Sequence, residues 1–183
     1  MTVLLMFGLI ISSCTESTSP EEKRTAMISK VDSLWGQLNA VRQQFTYEMD
    51  EIEERKEEMQ QQLIRANFLK ENQLTEEQKL WFIQYESVAR IYKGVGQQYK
   101  NCVLNAENVF YALKGLDSQV KKGKYDEKVD EFRAEYAEIQ KELAECAEET
   151  TDVVSRLSAV EPTYLRLGDN VESLLNELIP ESK

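Results

Sequence analysis

The chain has 183 residues, 42% hydrophobic and 30% charged, with only seven Gly and three Pro, a balance that suits long amphipathic helices in one domain and not disorder. Its net charge of −11, from 33 acidic against 22 basic residues, would repel phosphate backbones and argues against nucleic acid as a partner. It has no histidine, which removes the commonest general base and metal ligand, and neither a metal nor another cofactor is expected.

Residues 1–10 form an uncharged apolar run, MTVLLMFGLI, that leads into Ile11-Ser12-Ser13-Cys14. The run is too short for a membrane span, which needs roughly 20 apolar residues. The tetrad resembles the lipobox of bacterial lipoproteins. The resemblance implies that residues 1–13 are a signal peptide removed on export and that Cys14 carries a diacylglycerol and is acylated on its new amino group. Residues 14–20 would then be a lipidated leader before a folded part at 21–183. Two acyl chains already anchor stably, since burial contributes about 0.8 kcal/mol per methylene. Thr15 resembles the residue that follows the cysteine in lipoproteins sent to the outer membrane, so the implied location is the bacterial cell envelope, at that membrane. Signal peptides open with a basic n-region, and residues 1–13 hold no Lys or Arg, which leaves a start upstream of Met1 open.

Three long helical patterns follow, at about Glu21 to Asn72, Glu76 to Lys121 and Asp126 to Leu178. Thr75 with Gln78 reads as a capping box opening the second. Lys121, Lys122, Gly123 and Lys124 supply cations and a glycine stop at its end, and Asp126 then reads as the N-cap of the third. In each segment apolar residues recur at alternating steps of three and four, the heptad signature of coiled-coil packing. The second segment is the cleanest, from Trp81, Tyr85 and Val88 through Cys102 to Leu116 and Val120. The third runs from Val129 and Phe132 through Cys146 to Leu174 and Leu178. The first runs through Ile28, Val31, Trp35, Leu38, Arg42, Phe45, Met49, Ile52, Lys56, Met59, Leu63 and Ala66.

Short turns make neighbouring helices antiparallel. Ala66, Phe45 and Val31 then fall opposite Trp81, Cys102 and Leu116, which in turn fall opposite Leu167, Cys146 and Phe132. The expected fold is all-α: a long antiparallel three-helix coiled-coil bundle, on the order of 70 Å long. Its architecture is similar to that of spectrin-type repeats, a likeness of shape that says nothing about partners. Pro162 removes a backbone donor inside the third helix while the stripe keeps phase, so a kink is expected there. Gly94 and Gly96 mark a weak spot, a bend or a close helix approach in the second.

Arg42 and Lys56 are the polar residues on core stripes, read as long stems whose heads snorkel to water or to a flanking carboxylate. Tyr85, Tyr92 and Tyr99 form a ladder expected to be core with hydroxyls at its rim. The acidic clusters Glu53-Glu54-Glu57-Glu58 and Glu145-Glu148-Glu149 fall off the stripes and read as solvated faces. Cys102 and Cys146 share a layer. In the oxidising compartment that export implies, a disulfide between them is one outcome and two free buried thiols the other.

With the first helix starting at the lipid, the turn near Gln73 is carried to the far end. Off-stripe apolar residues gather there: Phe68, Leu69, Leu74, Phe82, Leu165 and Leu175. They form either a partner-binding tip or a cap on the hairpin. The expectation is a lipid-anchored, non-enzymatic rod that acts as an interaction or structural module for an envelope or extracellular protein. The alternative is a subunit of a larger envelope assembly that uses its shaft.

Overall fold

The structure, a computed structural model, describes residues 19–179. Cys14, the tetrad around it and the leader up to Thr18 lie outside the described residues. Chain order gives α1 (Pro20–Arg42), α2 (Met49–Ala66), a short 3-10 turn at Glu71–Gln73, α3 (Glu76–Lys121) and α4 (Val129–Leu178). The described part is therefore all-α, with four helices where three were expected.

The first helix starts on a capping box. The Ser19 hydroxyl accepts from the Glu22 amide at 3.2 Å, the Glu22 carboxylate accepts from the Ser19 amide at 2.7 Å, and Pro20 occupies a first-turn position that lacks a donor requirement. Its inner face is Met27, Val31, Leu34, Leu38 and Val41, all buried. That face differs from the expected Ile28–Val31–Trp35–Leu38–Arg42 stripe. Val41 occupies the inward position, and Arg42 lies exposed with its guanidinium 5.5 Å from the Phe110 ring.

The expected continuous first helix is broken at 43–48. No Gly or Pro stands there. Phe45, Thr46 and Tyr47 are all weak helix formers, and a tertiary partner takes over their backbone: the Tyr99 hydroxyl accepts from the Tyr47 N–H at 3.2 Å and donates to the Tyr47 carbonyl at 2.8 Å. Both groups that would have joined a helix ladder are thus satisfied from α3. The interruption lets α2 restart with its own face. Ile52, Met59 and Gln62 are its buried residues, and Arg55, not Lys56, turns inward. The Arg55 side chain is 13% exposed against 29% for Lys56, which pairs with Glu53.

Thr75 opens α3 with the expected capping box, the Gln78 amide donating to its hydroxyl at 3.2 Å and its own amide donating to Gln78 at 2.8 Å. Beyond α3, Gly123 adopts φ +74°, and a Cβ there would lie 2.6 Å from the Arg24 guanidinium and 2.8 Å from the Asp126 carboxylate. Only glycine suits both the left-handed backbone and the tight space. Asp126 is not the N-cap of the next helix, as the sequence suggested. Lys128 holds that position, and Asp126 instead accepts from Arg24 Nε at 3.0 Å, tying the turn to α1. Pro162 lies inside α4.

Both α1 and α2 pack on α3 and α4, and the core divides where the first segment breaks. One cluster joins α1 to Ala106–Val120 and Phe132–Cys146; the other joins α2 to Tyr85–Cys102 and Val153–Leu175. Trp35 packs on the first cluster and Trp81 on the second. Gly96 lies under α2, where a Cβ would meet Glu53 Oε1 at 3.2 Å, while Gly94 faces open space. Gly96 is thus the close-approach position of the pair.

Candidate interaction site

The second cluster is held together along its length by hydroxyls. Tyr85, Tyr92 and Tyr99 sit one heptad apart on α3 and are almost wholly buried. Each meets a polar group of the segment around α2: Tyr85 donates to Gln62 Oε1, Tyr92 accepts from Arg55 at 3.1 Å, and Tyr99 engages the Tyr47 backbone. Advancing seven residues on α3 means retreating seven or eight on the partner segment, as antiparallel packing requires. The ladder is core as expected, but its hydroxyls are bonded inside rather than left at the rim.

Arg55 is the centre of this seam. It donates to Glu161 at 2.9 Å, pairs with Glu51, and stacks 5.1 Å from the Tyr164 ring centroid. Tyr47 donates to the other oxygen of Glu161 at 2.8 Å, and Tyr164 donates to Glu58 at 2.8 Å. Glu58 therefore belongs to the seam and is not simply part of a solvated face. Burial works to raise the Glu161 carboxyl, but hydrogen bonds from Tyr47 and Arg55 outweigh it and hold the group below the ordinary carboxylate range. Burial pushes the Tyr92, Tyr85 and Tyr164 phenols up, with Glu58 adding to the effect at Tyr85 and Tyr164. Every one of these shifts moves its group further from neutral pH. At pH 7 the carboxylate stays charged and the phenols protonated, so these hydrogen bonds stand as described and fix α2.

A different feature lies at the end of the molecule where α2 turns into α3. Leu63, Ala66, Leu69, Leu74, Phe82 and Ile83 line an open cleft of ≈ 540 Å³ with Asn67, Lys79 and Glu86 at its edges. Of the expected tip residues, Leu69, Leu74 and Phe82 are brought together here. Phe68 is 75% exposed beside it, and Leu165 is 58% exposed on α4, close to the Arg166–Gln84 contact. Leu175 is a correction. It is fully buried in the second cluster, and its role is to cap the bundle. Ile64, Leu80 and Ile83, exposed at 52%, 56% and 60%, lie outside the expected tip set. The signal was present, because all three are apolar and off the heptad stripe.

Cys102 and Cys146 lie together between α3 and α4 as free buried thiols, the Cys146 Sγ donating to the Cys102 carbonyl at 4.0 Å. Burial pushes both thiols above their ordinary value, so neither is an activated nucleophile. Among the described residues no group of three His, Cys, Asp or Glu is placed to hold a metal ion, and no helix is long and apolar enough to cross a membrane. Comparison with known protein families, with characterised proteins and with solved structures gives no match.

Proposed function

We propose that the chain is a lipid-anchored rod of the bacterial cell envelope whose far tip binds another protein. In this reading Cys14 carries the lipid at the outer membrane, α1 rises from the anchor, and the α2–α3 turn is displayed on the order of 70 Å away. The rod is an antiparallel three-helix bundle in cross-section: α1 and α2, stacked end to end, occupy one place beside α3 and α4, and Pro162 bends α4. Its work is binding or support, not catalysis.

The observation that carries the reading is the grouping of exposed apolar side chains. Of seven large hydrophobic residues exposed among the described ones, five, Ile64, Phe68, Leu80, Ile83 and Leu165, belong to the half of the molecule that carries the α2–α3 turn. A surplus of exposed apolar surface gathered toward one end is what an interaction site supplies. The other two, Leu104 and Tyr111 on α3, favour the second reading, a shaft packed against helices of a larger envelope assembly.

Photo-crosslinking in intact cells separates the two. A crosslinking side chain at Phe68 should capture a discrete partner and one at Tyr111 should not, with the Phe68 band lost in Cys14→Ala if the anchor sets the location. Capture from Tyr111 alone would replace the tip reading with the assembly reading. A clickable fatty acid should label the parent chain and not Cys14→Ala.

A further inference from the structure

The tip cleft does not end at Glu86. A second depression of ≈ 290 Å³ shares Leu63, Asn67 and Glu86 with it and continues past Ile64 and Ala89 to Lys56 and Lys93. Together they make one groove along the outer seam of α2 and α3. From Lys56 to Ala66, where α2 ends, the groove follows α2 for about 15 Å at 1.5 Å per residue and continues past the turn to Leu69.

The charge of this groove opposes that of the chain. Acidic residues outnumber basic ones 33 to 22 overall, yet the lining holds Lys56, Lys79, Arg90 and Lys93 against a single carboxylate, Glu86. Three of the cations have neighbouring carboxylates: Glu53 for Lys56, Glu76 for Lys79 and Glu86 for Arg90. The Lys79 and Arg90 pairs are exposed and contribute little, while the Lys56–Glu53 pair is part-buried. Lys93 has no acidic partner among the described residues. Between these cations the lining is mostly apolar, with Gln60 and Asn67 its polar members, and it includes Ile64 and Ile83, both more than half exposed.

We infer that this groove seats an amphipathic helix of another protein, apolar on one face and flanked by Asp or Glu. The inference rests on the proposed binding role of the tip and names the chemistry of what binds. An apolar trough rimmed by cations complements such a helix in shape and charge, with apolar anchors at i, i+3, i+4 and i+7 meeting the floor. An anionic bilayer would supply similar chemistry, but it engages helices lying on its surface, and this site is concave, between two helices.

The test uses the full chain and two labelled synthetic helical peptides of about 14 residues, alike in their leucine stripe and flanked by Glu in one and Lys in the other. Fluorescence anisotropy should show the Glu peptide binding at least about tenfold more tightly. Arg90→Glu with Lys93→Glu should reverse that order, and Ile64→Ser with Ile83→Ser should weaken the Glu peptide about tenfold while circular dichroism stays unchanged. No preference between the peptides, no binding of either, or binding indifferent to these variants overturns the inference. So does self-association of the full chain that Ile83→Ser abolishes, or stronger binding to phosphatidylglycerol vesicles through the same residues. If the peptides fail while Phe68 still crosslinks a partner in cells, the tip role stands and only this assignment falls.

Discussion

Two helices cover successive stretches of the same α3–α4 pair, and they are held by different forces. The inner face of α1 is five buried apolar side chains, Met27, Val31, Leu34, Leu38 and Val41. In α2 the wholly buried apolar residues are Ile52 and Met59, joined by the polar Gln62, and much of the attachment runs through Arg55, Glu161 and the tyrosine hydroxyls. Apolar burial is additive and indifferent to partner geometry. A hydrogen-bonded seam stabilises less per contact and penalises any half-made state. The first half is therefore fastened more strongly, and the second more specifically.

The largest test of that contrast is Leu38→Ala. Leu38 is fully buried in α1, so its truncation should cost about 2 to 5 kcal/mol, read from urea denaturation, and should destabilise the whole chain.

A smaller and more local effect is expected of Arg55→Met. It leaves Glu161 and the Tyr92 hydroxyl without their shared donor, a loss on the order of 1 to 3 kcal/mol, moderated because Glu161 is 29% exposed. Hydrogen exchange should show the amides of α2 opening ahead of those of α1, already in the parent protein and more so in the variant. Equal protection of the two helices would erase the comparison.

The smallest effect is one of pH. The Glu161 carboxyl sits below its ordinary value in the folded protein, so as acid is added the unfolded chain takes up that proton first. Its stabilisation is complete above the unfolded pKa of about 4.3 and is lost as the pH falls through the lower folded value. The urea midpoint should therefore drop more steeply between about pH 5 and pH 3 in the parent than in Glu161→Gln. Parallel slopes would mean that the seam does not hold the carboxylate.

Much of this was legible in the residues themselves. The two long helices declared themselves because nothing competes with their heptads: α3 runs Glu76–Lys121 as expected, with its stripe buried from Tyr85 to Val120, and the Thr75 cap is made by chemistry local to four residues. The first segment misled because its break is tertiary in origin. Gln43 to Glu48 contains none of the usual breakers, and what stops the helix is a hydroxyl arriving from Tyr99, more than fifty residues away in sequence. Once the helix stops, the face can slip, and so Arg42 turned out and Arg55 turned in where Lys56 was expected. Lys56 and Arg55 are adjacent cations, and periodicity alone does not say which finds Glu161. At the tip, composition showed that apolar residues were in surplus, but only packing could separate Leu175, used as a cap, from Phe68, left outside.

The division of the core also distributes the chromophores. The chain has two tryptophans, and they fall one to each half: Trp35 edge-on to Phe110 at 5.4 Å against the first cluster, and Trp81 against the second. A single-tryptophan variant made with Trp81→Phe thus emits from the α1 half alone, and one made with Trp35→Phe from the α2 half alone. The molecule carries its own pair of lamps, and the order in which they change colour during unfolding reads out which half lets go first.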